Sequence, residues 1–83
     1  MLLLDVNVCV YAIRADSPDH AAYRSWLTDA LNGDEPVGIS ELALSGVVRV
    51  ITNHRIFREP STTQQALDAC GEIRSGPVAV PLQ

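Results

Sequence analysis

From Leu2 to Val6 the chain is continuously apolar apart from one carboxylate, Asp5. An unbroken apolar run of this length is the pattern of a strand buried on both faces, as in parallel sheets. Parallel neighbours need long crossovers, so such an opening demands helices between it and the strands that follow. A carboxylate inside the run is costly to bury without a partner or a cation. Asp5 is therefore the first candidate for a functional residue.

The rest of the chain supplies those helices. Val6 to Ile13 is apolar except for Asn7 and reads as a short buried helix. Ser17 as N-cap and Pro18 at the first helical position predict a second one. Tyr23, Trp26, Leu27, Ala30 and Leu31 form its apolar stripe, which places Trp26 in the core, and Gly33 ends it. Val37-Gly38-Ile39 reads as the second strand. Ser40 caps a third helix with Leu44, Val47, Val48 and Ile51 inward, and Gly46 in it permits close packing of another element. After a polar, Arg-bearing connection from Asn53 to Pro60, Ser61 to Gln64 offers a capping box, with Ser61 as N-cap. Ala66, Cys70 and Ile73 carry this fourth helix, Gly76-Pro77 stops it, and Val78-Ala79-Val80 is a third strand closed by Pro81. The order β-α-α-β-α-α-β implies an α/β fold with parallel strands and right-handed crossovers. With three short strands, one sheet edge is expected to be unpaired in this chain taken alone.

A length of 83 residues allows one small domain, and the 47% apolar content supports a packed core. No apolar run approaches the roughly 20 residues of a membrane span. Met1 is followed by Leu-Leu-Leu and then an acid, without a basic n-region, so no signal peptide and a soluble cytoplasmic protein are expected. Cys9 and Cys70 form no C-x-x-C pair and read as reduced core residues. A net charge of −4 argues against nucleic-acid binding through bulk electrostatics, although a bound cation reverses the local field of acids that serve as its ligands.

Asp5 ends the first strand, and Glu41 follows the second directly. Open parallel sheets bind ligands at the carboxyl ends of their strands, so both acids lie on the functional edge. Two carboxylates brought close together repel unless a cation lies between them, and oxygen ligands completed by water and phosphate suit Mg²⁺ or Mn²⁺. Each residue also has a plainer reading. Glu41 answers the dipole of its helix, Asn7 caps a helix or orients Asp5, and Ser40 is a cap or a support for the acids. Arg49, His54, Arg55 and Arg58 form either a solvated face or a phosphate contact. His20 is expected to be ordinary surface.

The opening Leu-Leu-Leu-Asp5-Val-Asn7-Val with Tyr11-Ala12 resembles that of the PIN-domain toxins of the VapC family. Two further stretches, His20 to Leu27 and Glu41 to Thr52 running on to Arg55-Ile56-Phe57, extend the likeness over essentially the whole chain. The resemblance implies a PIN-like three-layer α/β/α fold with a parallel sheet. Residues 1–83 would be the N-terminal portion of one such domain, holding three strands and about four helices of an incomplete sheet. It implies an Mg²⁺- or Mn²⁺-dependent endoribonuclease that cleaves structured RNA. Its partners would be a cognate antitoxin and, when complete, a second copy of itself, with no membrane. The family's first metal-site acid falls on Asp5, its second on Glu41, and its polar residue two past the first acid on Asn7. Ser40 then supports the acids, and Arg49 and Arg55 are the candidates for RNA contact. Many relatives carry proline where His54 stands.

PIN toxins complete the site with aspartates beyond Gln83, so the chain by itself is expected to be inactive, a poor metal binder and prone to self-association. The alternative is a non-catalytic remnant that binds antitoxin or a second toxin subunit. A haloacid-dehalogenase-like phosphatase fits worse, because position 7 is Asn where a general acid is needed and lysine is absent.

Overall fold

The alternation of strands and helices is realised in the computed structural model, which describes residues 1–82. In chain order the elements are β1 (Leu2–Leu3), α1 (Val6–Ile13), α2 (His20–Leu31), β2 (Val37–Ser40), α3 (Glu41–Ile51), α4 (Thr63–Arg74) and β3 (Ala79–Leu82). The strands form one parallel sheet in the order β1-β2-β3. Leu2 and Leu3 pair with Val37 and Gly38, and β2 pairs along its length with β3, from Val37 with Ala79 to Ser40 with Leu82. β3 starts one residue later and ends two residues later than expected, and it includes Pro81, which an edge strand tolerates.

β1 is shorter than the apolar run that announced it. Ladder pairing stops at Leu3, Leu4 is buried, and α1 begins at Val6 with Asp5 as its N-cap. Asp5 is solvent-exposed, so the expected burial of its carboxylate is corrected: the early turn into α1 puts it on the rim of the sheet.

Each step along the sheet moves in the same direction, so right-handed crossovers place all four helices on one face. Val37 and Ile39 point into that layer and are fully buried, whereas Leu3, on the alternate face, is 70% exposed. The three atoms nearest a Cβ built on Gly38 would belong to Leu3, Leu82 and Met1, none of them helical. Under the helical layer the core joins Cys9, Val10 and Ala12 of α1 to Leu27 and Leu31 of α2. Leu44, Val47 and Ile51 of α3 and Ala66, Cys70 and Ile73 of α4 complete it. Gly46 has the expected packing role, since a Cβ there would stand 3.1 Å from a methyl of Val6 on α1.

Two helix starts shift. Ser17 and Pro18 do not open α2; the Ser17 N–H bonds to the Arg14 carbonyl in a turn, and Asp19, in a left-handed conformation (φ 54°), is the N-cap. The box before α4 is built one residue later than expected, from Thr62 and Gln65. Ser61 is engaged elsewhere, its N–H bonded to the Ile51 carbonyl and its hydroxyl accepting from Arg14 Nη1 at 3.1 Å. The guanidinium of Arg14 lies over the Phe57 ring at 4.2 Å and also binds Asp16, which ties the end of α1 to the loop after α3.

Trp26 is not a core residue. Leu27 and Leu31 take the inner side of α2, and Trp26 lies 45% exposed in a shallow apolar groove with Val8, Ala22 and Tyr23. Trp26→Ala is accordingly expected to cost about 1–2 kcal/mol, and Ile51→Ala, at a fully buried position, about 2–5 kcal/mol. Urea unfolding of both variants, together with acrylamide quenching of the indole, checks the ranking; a protected indole would contradict it.

Cys9 and Cys70 are free thiols in the core, as expected. Burial pushes the Cys9 thiol up to about 11, with smaller contributions from Cys70 and Asp5. A thiol raised in the folded state from an ordinary 9.0 stabilises the fold below pH 9, and that stability is lost as pH rises from 9 towards 11. Melting temperatures should therefore fall over this window in the wild type and fall less steeply in Cys9→Ala. Parallel slopes in the two proteins would contradict the assignment.

Candidate functional site

At the carboxyl edge of the sheet two strands run straight into helices. β2 gives way to α3 between Ser40 and Glu41, and β1 reaches α1 through Leu4 and Asp5. Continuing the pairing of Leu3 with Gly38 brings Asp5 level with Ser40, with Glu41 next in line. Neighbouring strands lie about 4.8 Å apart, so the backbones of the two acids leave the sheet side by side.

The two helix starts are satisfied differently. Ser40 Oγ accepts from the N–H groups of Leu42 at 3.1 Å and Ala43 at 3.3 Å, so its capping role is realised. Asp5 occupies the same position before α1 yet makes no side-chain bond to its helix. Among the described residues no hydrogen bond or ion pair engages the Asp5 carboxylate. An N-cap aspartate ordinarily accepts from the first turn; here the first N–H groups of α1 and the carboxylate are both left for other partners.

Glu41 is engaged. Arg74, the last residue of α4, donates from Nε to Oε1 at 3.0 Å and from Nη2 to Oε2 at 3.2 Å. Both side chains are about half exposed or more, and a pair in such surroundings contributes roughly 0–1 kcal/mol. The pair draws the Glu41 carboxylate towards α4 and Cys70. The charges of Arg74 and Glu41 act on that thiol with opposite signs, while burial, the larger influence, raises it. The Asp5 charge reaches the other thiol, Cys9 of α1. Backbone geometry thus brings the acids together, while Arg74 holds the carboxylate of Glu41 and leaves that of Asp5 free.

The donors present fit a hard divalent cation in kind: two carboxylates, with the hydroxyl of Ser40 and the exposed amide of Asn7 beside them. Among the described residues no three His, Cys, Asp or Glu side chains gather, so this chain offers part of a coordination shell. Asn7 lies in the first turn of α1, with no hydrogen bond to Asp5 among the described residues.

The basic tract does not assemble around the acids. Arg49 lies two turns along α3 in the groove that also holds Glu41, Val48, Leu67 and Arg74. Arg55, with His54 and Arg58, follows the far end of α3, about 15 Å from Glu41 at 1.5 Å per residue. His20 is more than surface: half-buried, its Nδ1 lies 2.9 Å from the Tyr11 carbonyl and links α2 to α1. Arg74 is the residue that sequence reasoning missed. An ion pair across 33 positions leaves no local pattern, and a basic residue in a last turn reads as an answer to the helix dipole.

The PIN domain family model matches residues 2–74. Ribonuclease VapC43 of Mycobacterium tuberculosis and a VapC ribonuclease of Mycobacterium bovis are each 46% identical over 83 residues, covering all of this chain and 56% of each relative. Ribonuclease VapC25 of Mycobacterium tuberculosis is 35% identical over 81 residues, covering 98% of this chain and 57% of that protein. The chain therefore spans a little over half the length of these curated relatives.

The contrast between the two helix starts is measurable. Ser40→Ala is expected to cost about 0.5–2 kcal/mol, because it strands two N–H groups. Asp5→Ala should stay within about 0.5 kcal/mol of wild type, because no intramolecular bond is lost. Urea denaturation gives both values, and a loss above about 1 kcal/mol for Asp5→Ala would show that its carboxylate caps α1 after all.

Proposed function

The chain belongs to the PIN-domain family, and on that premise we propose that it is the N-terminal portion of a metal-dependent endoribonuclease, the toxin of a toxin–antitoxin pair. The observation that carries the proposal is Asp5, a carboxylate set at a helix start on the carboxyl edge of a parallel sheet and used by nothing else in the fold. An exposed acid at that edge, with no role in capping its helix, is free to serve a ligand where open parallel sheets bind one. The names of the relatives supply the reaction class, ribonuclease.

Asp5 and Glu41 would hold Mg²⁺ or Mn²⁺, which supplies polarisation of the phosphodiester and a more acidic bound water. The chain's own groups prepare the place for that chemistry. The uncapped first turn of α1 presents N–H groups and the positive end of its dipole, which favour a phosphate. Ser40 anchors the first turn of α3 and with it the backbone of Glu41. Asn7, exposed two residues past Asp5, is placed to steady the acid through its amide. Arg49 would meet the RNA backbone close to the site, and Arg55 a phosphate further along a structured substrate. Cognate antitoxin and a second copy of the chain are the expected partners, and the cytoplasm the expected place of action. Among the described residues no helix is long and apolar enough to cross a membrane.

A second reading, binding to antitoxin or a toxin subunit without cleavage, draws support from the partial donor set and from the engagement of Glu41 by Arg74. The haloacid-dehalogenase-like reading has no support from the family match. RNA cleavage assays with Mn²⁺ separate the first two. At the length of its relatives the protein should cut RNA, and Asp5→Asn and Glu41→Gln should each abolish cutting without loss of fold, Asp5→Asn the more completely. Residues 1–83 alone should be inactive. Near-wild-type cleavage by Asp5→Asn would sink the assignment.

A further inference from the structure

We propose that Arg74 is a built-in counter-ion that occupies Glu41 until a divalent cation displaces it, so that the Arg74–Glu41 pair and metal binding at the two acids exclude each other. This rests on the reading of Asp5 and Glu41 as the cation-holding acids. Nε and Nη2 of Arg74 together take both carboxylate oxygens of Glu41, at 3.0 and 3.2 Å, so a side-on guanidinium fills the face of the carboxylate. A cation ligated to either oxygen would stand a few ångströms from a fixed positive charge, which disfavours having both at once. Arginine keeps its charge throughout the useful pH range, so the block is not relieved by deprotonation. Its strength is modest, because both side chains are substantially exposed, 49% for Arg74 and 66% for Glu41. An ion pair of this kind is reversible by a divalent ion.

Geometry sets the direction of the effect. The pair draws Glu41 towards α4, whereas Asp5 lies at the start of α1. While Arg74 holds Glu41, its positive charge offsets the repulsion between neighbouring carboxylates at the sheet edge. A cation that recruits both must first bring Glu41 away from Arg74. The guanidinium so released stays beside the site, at the mouth of the groove that also holds Arg49.

The test is Mn²⁺ affinity, read from the electron paramagnetic resonance of free Mn²⁺. The proteins compared, at the length of the curated relatives, are the wild type, Arg74→Gln, Arg74→Lys, Asp5→Asn and Arg24→Gln. Arg24, exposed on α2, supplies the same change in net charge away from the acids. Arg74→Gln should bind Mn²⁺ about two- to fivefold more tightly than wild type, the range that loss of a weak surface ion pair allows. Arg74→Lys, which keeps the charge but loses the fork, should fall between the two, and Arg24→Gln should match wild type. Equal or weaker binding by Arg74→Gln, or an equal gain from Arg24→Gln, overturns the inference while Asp5-dependent binding leaves the metal-site reading standing. If Asp5→Asn leaves wild-type binding unchanged, or neither wild type nor Arg74→Gln binds Mn²⁺, the metal-site reading itself falls and the inference with it.

Discussion

The Leu2 N–H donates to the Pro36 carbonyl at 2.9 Å and the Leu4 N–H to the Gly38 carbonyl at 3.2 Å, and these bonds set the level of β1 against β2. Everything at the carboxyl edge follows from that level. A slip of one residue would turn Leu3 inward and Leu4 outward, exposing a core residue and burying one that now faces water. It would also move Asp5 out of line with Ser40 and Glu41. The hydrophobic demand on Leu4, Val37 and Ile39 and the placement of the acids are thus a single constraint. Because both strands enter helices at once, no loop intervenes to blur that placement.

On the proposed reading, the same edge would let a chain with net charge −4 meet a polyanion. Its favourable features are local: two helix N-termini side by side, one capped by Ser40 and the other left open by Asp5. As the proposed cation ligands, Asp5 and Glu41 would not add to a repulsive field, and Arg74 balances the second of them. The opposite side of the sheet is unlike the helical side. Met1 and Leu3 lie exposed there, and among the described residues β1 has no neighbour on its outer edge. The curated relatives are longer than this chain, which covers 56% of each.

Much of this was legible in the sequence, for identifiable reasons. Apolar periodicity located α2, α3 and α4, because Leu44, Val47 and Ile51, or Ala66, Cys70 and Ile73, can share one face at only one period, and an apolar run after the first strand located α1. The acid positions followed from the rule that parallel sheets work at their carboxyl ends. Boundaries were less legible, because they depend on competition for polar groups. Ser61 lost the cap of α4 to Thr62 because its hydroxyl and N–H serve Arg14 and Ile51, partners remote in sequence. Trp26 misled because a stripe at helical spacing does not say how wide a face its neighbours cover, and the residues of α2 that they bury are Leu27 and Leu31. The partner of Glu41 was invisible for the same reason as that of Ser61.

The central claim is that the backbone brings Asp5 and Glu41 together as one cation site at the end of β1 and β2. Paramagnetic broadening of amide signals by substoichiometric Mn²⁺, in the ¹⁵N-labelled protein at the length of its relatives, reports that site directly. The account predicts that Asp5, Val6 and Asn7 broaden together with Glu41 and Leu42, before any other amides. First broadening at Asp34 and Glu35, or at Asp68 and Glu72, or an even loss across all the acids, would contradict it.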